Sequence, residues 1–173
     1  MDLQSQLLLK HDKHNMLCIR EYIGSDPERF ADLMNQFFSG GYRIQQRASW
    51  AVMHCVDRHP GLVGPYLEKM IDLLDQPVHD SVKRNTTRIM RHVEIPRELH
   101  GKAATHCFRL LADPASSTAI KVFSMYVLAK IVREEPELGP ELRLLIEENL
   151  PHASTGFHGA ARKVLQTLNQ LGV

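Results

Sequence analysis

The chain has 173 residues, and its 21 Lys or Arg against 20 Asp or Glu leave a formal net charge of +1. Hydrophobic residues make up 43% and charged residues 24%, which excludes a disordered chain and, on average, a polybasic one. No apolar run is long enough to span a membrane, and no basic stretch precedes an apolar one at Met1-Asp2-Leu3-Gln4-Ser5, so neither a membrane helix nor a secretory signal is expected. The three cysteines, Cys18, Cys55 and Cys107, lie far apart and form no Cys-x-x-Cys pair. A disulfide framework and a closed zinc site are therefore disfavoured, and a reducing cytoplasm is the expected compartment.

Strand signals are nearly absent, and apolar residues recur at helical spacing. In chain order, residues 1–24 read as a capping helix pair. Asp26-Pro27-Glu28 then starts a helix: a capping oxygen, proline at the first helical position, and an acid near the positive end of the dipole. Gly40-Gly41 is a turn. Leu67, Met70, Ile71 and Leu74 line one helix face, and Pro60, Pro77, Pro96, Pro114, Pro136 and Pro151 fall near the ends of apolar segments. About nine helices of roughly 10 to 18 residues are predicted.

Four segments share the apolar spacing i, i+4, i+7, i+8, i+11, one face of a helix. They are Ile44, Ala48, Ala51, Val52, Cys55; Val82, Thr86, Ile89, Met90, Val93; Ile120, Ser124, Val127, Leu128, Ile131; and Phe157, Ala161, Val164, Leu165, Leu168. Their starts lie 38, 38 and 37 residues apart. A small residue stands second in each set, where neighbouring helices approach closely. A longer echo links Val56-Asp57-Arg58-His59-Pro60-Gly61-Leu62 with Val132-Arg133-Glu134-Glu135-Pro136-Glu137-Leu138.

A period near 38, two helices per unit, and a leucine-rich helix, Asp-x-Pro turn and Asp80-Ser81-Val82-Lys83 over residues 67–84 together resemble the HEAT-repeat family. The resemblance implies an all-α, right-handed α-α superhelix, a HEAT- or armadillo-like solenoid. It would be a single domain over 1–173, with repeats at 27–59, 62–95, 97–135 and 137–171. One helix pair cannot bury its apolar stripe alone, whereas stacked pairs share a continuous core.

One residue after each first core position stand Gln45, Lys83, Lys121 and His158. The family often carries Arg there, paired with an Asp of the turn, so Asp80 and Asp113 are the expected partners of Lys83 and Lys121. On the other side of the second helices come Arg47, Trp50, His54, Arg84, Arg88, Arg91, His92, Tyr126, Lys130, Arg162 and Lys163. The resemblance places these in one concave groove. Cations interleaved with aromatics suit phosphates or carboxylates together with flat faces for stacking.

The predicted function is therefore non-catalytic binding of an acidic protein segment or nucleic acid, with no cofactor, no metal and no membrane partner. The stretch Gln46 to Val52 and His59 to Val63 also resembles repeats of the HEAT-like alkylpurine DNA glycosylases, which implies DNA binding with base excision as the alternative. Those enzymes use several tryptophans and a catalytic aspartate. This chain has one Trp, His54 stands one turn after it, and Asp57 is two turns away.

Two further patterns read as structure more readily than as chemistry. His11, His14 and Cys18 have ligand-like spacing, and Cys55 and His59 are one helical turn apart, but Cys55 holds a core position. Across the second helices, residues 43–59, 82–95, 119–135 and 157–170, there are 12 Lys or Arg against 4 Asp or Glu. The near-neutral total thus divides into a basic inner layer and an acidic remainder, and His54 and His92 are expected to add positive charge to that layer below about pH 6.5.

Overall fold

A computed structural model describes all 173 residues. It contains ten α-helices joined by turns and short 3₁₀ segments, with no strand. The helices are α1 (Leu3–Leu9), α2 (Lys13–Ile23), α3 (Pro27–Ser39), α4 (Tyr42–Arg58) and α5 (Leu67–Asp72). They continue with α6 (Asp80–His92), α7 (His100–Ala112), α8 (Thr118–Ile131), α9 (Gly139–Asn149) and α10 (Thr155–Leu171). The shortest, α5, is six residues where a longer helix was expected. Gly64 and Pro65 open a 3₁₀ turn ahead of it. After it, the backbone tightens to 3₁₀ over Leu73–Asp75 and turns extended at Gln76, the residue that Pro77 keeps out of helical conformation.

The repeat seen in the sequence is a repeat of structure. The second helices are α4, α6, α8 and α10, and their shared core positions are buried except Ile44 and Leu165, which are half-buried. The small residues Ala48, Thr86, Ser124 and Ala161 are 0 to 1% exposed. The echo between 56–62 and 132–138 is one turn built twice: each leads into a 3₁₀ turn, Pro60–Leu62 and Pro136–Leu138, through His59 (φ −134°, ψ 72°) and Glu135 (φ −126°, ψ 69°). A third 3₁₀ turn, Arg97–Leu99, precedes α7.

The chain forms two compact units, Met1–Val93 and Glu94–Val173. In the first, α1, α2 and α3 pack on α4, and α4 packs on α6. Asp26 caps α3 as expected, accepting from the Glu28 and Arg29 N–H groups, with Pro27 at the first helical position. Gly40 closes α3. A Cβ there would collide with the Gln36 carbonyl oxygen and the Ile44 side chain, so the sharp α3–α4 turn requires glycine. In the second unit, α7 packs on α8, α8 on α10, and α9 beside all three. Phe30, Leu33, Met34 and Phe37 of α3 are 0 to 1% exposed, as are Cys107, Leu111, Val127 and Leu128 of α7 and α8. Each such Val, Leu, Met or Phe side chain contributes about 1.5–3 kcal/mol by leaving water.

Candidate binding site on helices α4 and α6

Helix α4 carries two stripes. Ala48, Ala51, Val52 and Cys55 face the core, and Gln46, Trp50, His54 and Asp57 run along the side facing α6 and the cap, at spacings of three and four. On α6 the matching stripe is Ser81, Arg84, Asn85 and Arg88. Between the stripes lies a cleft of about 290 Å³ lined by His11, Gln46, Trp50, Ser81, Arg84 and Asn85. None of the six is a carboxylate. Below the cleft the two helices are tied by a buried polar link: Asn85 Nδ2 donates to Ser49 Oγ (3.0 Å), and that hydroxyl donates to the Gln46 carbonyl (2.7 Å).

Trp50 is half-buried. Its indole meets two imidazoles, with ring centroids 5.0 Å from His11 and 5.7 Å from His54. Burial lowers the pKa of both histidines. For His11 the charges of Arg47 and His79 push the same way. For His54 the carboxylate of Asp57 opposes the shift, while Arg20, Arg88 and Lys13 reinforce it. His54 therefore gains its charge only at a lower pH than an ordinary histidine, which weakens the expected rise in positive charge below about pH 6.5. His79 caps α6 through Nδ1, which accepts from the Ser81 N–H (3.0 Å), and its Nε2 meets the Gln46 amide at 3.1 Å.

The arginines predicted for the groove divide by what they touch. Arg47 Nη1 donates to the Leu7 carbonyl at 2.7 Å, fastening the end of α1 to α4. Arg88 Nη1 reaches both carboxylate oxygens of Asp57, at 3.2 and 3.0 Å, joining α6 to α4. Arg84 is exposed, lines the cleft and makes no side-chain hydrogen bond or ion pair within the protein. Arg91 and His92 sit in the last turn of α6, where positive charge complements the helix dipole.

In the second unit, Tyr126 and Lys130 are half-buried on α8. Burial lowers the pKa of the Lys130 ammonium, opposed by the charges of Glu94 and Cys107. Lys130 thus lies among its own neighbours, while Arg162 and Lys163 are exposed on α10. The expected Asp113–Lys121 pair does not form. Asp113 accepts from the Ala115 N–H, and Lys121 Nζ donates to Asn149 Oδ1 at 2.7 Å.

The other candidates resolve locally. His11 lies ahead of α2, whose N-cap is Asp12, so it turns to Trp50, while His14 Nε2 and Cys18 Sγ approach to 3.8 Å on the helix. The three do not converge. Burial pushes the Cys55 and Cys107 thiols up to about 12, which suits packing and not nucleophilic chemistry. Four lining residues, His11, Gln46, Ser81 and Asn85, were not anticipated. Asn85 carried a signal, a polar residue one turn from the core positions of α6; His11 carried none, because its place depends on how the cap packs. No helix is long and apolar enough to cross a membrane.

A family profile described as a HEAT repeat domain matches residues 3–168. Comparison with curated proteins and with solved structures found no match.

Proposed function

This chain belongs to the HEAT-repeat family, and we propose that it is a non-catalytic binding scaffold whose α4–α6 face takes an acidic segment of a partner protein. The observation that carries this reading is the composition of the cleft: hydrogen-bonding side chains, one uncommitted guanidinium and an indole, with no carboxylate. Arg84 can fork onto a carboxylate, and Trp50 offers an amphipathic wall beside it. A protein segment is favoured over nucleic acid by the number of available cations. A strand of phosphates needs several neutralising contacts, and Arg47 and Arg88 are already engaged with Leu7 and Asp57. The non-catalytic reading is supported by the same pair, since Asp57, the acid that the glycosylase resemblance would need, is held by Arg88.

Trp50 is the only tryptophan, so its fluorescence reports on the cleft directly. Titration with a glutamate-rich peptide should shift the emission, a lysine-rich peptide should not, and Arg84→Glu should abolish the response. An unchanged response in Arg84→Glu sinks the proposal. Tighter binding of a single-stranded oligonucleotide, with a steep fall as salt rises, would replace it by the nucleic-acid reading.

A further inference from the structure

The second unit holds a separate cavity of about 460 Å³, between the turn from α7 to α8 and the turn from α9 to α10. Its lining brings opposite charges together without pairing them. Lys121 is half-buried, yet its ammonium is held by a neutral amide, Asn149 Oδ1 at 2.7 Å, and by no carboxylate. Asn149 is itself fixed, donating from Nδ2 to the Leu145 carbonyl at 2.8 Å. Glu148, next in the chain, lines the same cavity and forms no ion pair. Thr118 and Ser154 place two hydroxyls at the wall, 3.4 Å apart. Ala112, Ala153 and Phe157 supply apolar surface, with Phe157 2% exposed.

A cation and an anion that line one cavity without a direct ion pair are complementary to a ligand carrying both charges. The apolar lining suits a hydrocarbon side chain on that ligand, and the volume falls in the range of small-molecule sites. We propose that this cavity binds a free α-amino acid with an apolar side chain, its carboxylate on Lys121 and its ammonium on Glu148. Lys121 retains two N–H donors beyond the one given to Asn149, and the Thr118 hydroxyl, which accepts from Ser154 Oγ, keeps its own proton for a remaining carboxylate lone pair. The site is independent of the α4–α6 cleft.

The test is calorimetric titration of the full chain with L-leucine, alongside isocaproate, which lacks the ammonium, and isoamylamine, which lacks the carboxylate. Leucine should bind, and each analogue should bind about ten- to a hundredfold more weakly, the loss of one charge-assisted contact. Glu148→Gln and Lys121→Gln should each weaken leucine binding by a similar factor. Glu148 is exposed and unpaired, so its variant will fold, and it decides the matter if Lys121→Gln does not. The proposal is overturned if leucine fails to bind, if isocaproate binds as tightly as leucine, or if Glu148→Gln leaves the affinity unchanged.

Discussion

Arg84 and Arg88 lie one helical turn apart on α6, and charge reversal should affect them differently. Arg88 spans to Asp57 on α4 with both side chains about one-third exposed, 30% and 36%. Losing such a partly shielded pair costs about 0.5–1 kcal/mol. In Arg88→Glu a second carboxylate would face Asp57, adding roughly 1 kcal/mol of repulsion at a separation of about 5 Å in a largely aqueous dielectric. The total of about 1.5–2 kcal/mol corresponds to a melting temperature lower by about 3–8 °C for a chain of this size. Arg84 has no such partner, so Arg84→Glu should melt within about 1–2 °C of wild type while losing acidic-peptide binding. Circular dichroism melts of both variants, and of the swap Asp57→Arg with Arg88→Glu, test the assignment. The swap restores opposite charges across the same gap and should recover most of the loss. If Arg88→Glu melts like Arg84→Glu, or the swap recovers nothing, the pair does not fasten α4 to α6 and the division of labour between the two arginines fails.

Thr86 and Thr87 are both buried in α6, but Thr87 Oγ1 donates to the Lys83 carbonyl at 2.9 Å while Thr86 Oγ1 has no partner. In urea unfolding, Thr86→Val should therefore stabilise by about 1 kcal/mol, and Thr87→Val should destabilise by up to about 1 kcal/mol. His54 and His11 have pKa values lowered from 6.5 in the fold, so above that value both states are neutral and their contribution is complete. As the pH falls below it, the unfolded chain takes up protons that the folded chain resists, and stability declines. Melting temperature should drop between about pH 7.5 and about pH 5, and His54→Gln should flatten the drop. Gly40→Ala should cost on the order of 1–3 kcal/mol, because its Cβ meets backbone that cannot give way; a neutral result would mean that the α3–α4 turn relaxes easily. Wild-type protein should release no methylated bases from alkylated DNA, and release that disappears in Asp57→Asn would reinstate the enzymatic reading.

The repeat was legible because its signal is periodic and redundant. Four sets of five core positions constrain one another, so the half-buried Ile44 and Leu165 do not disturb the register. Turns written in proline and in capping residues were legible for the same kind of reason, since Asp26-Pro27 has a single good use. The site was less so. Sequence spacing shows which side chains share a face, and Trp50, Arg84 and Arg88 do, but it does not show who claims them. Arg47 is claimed by a carbonyl forty residues away and Arg88 by an acid thirty-one away. Both claims depend on how helices settle against one another, as does the arrival of His11 over the indole. Lys121 shows the same limit in reverse: the nearby Asp113 looked like its partner, but that carboxylate serves its own turn and the lysine reaches to the following helix instead.

The turn after α4 and the turn after α8 share nearly the same dihedrals, 76 residues apart. The match lies in the residue ahead of each proline, where the chain leaves the helix. A cut after His59 and a rejoining at Pro136 would preserve the local exit path of the chain, and so would inserting the intervening stretch a second time. The recurring turn is therefore one local exit from a second helix, used once after α4 and again after α8.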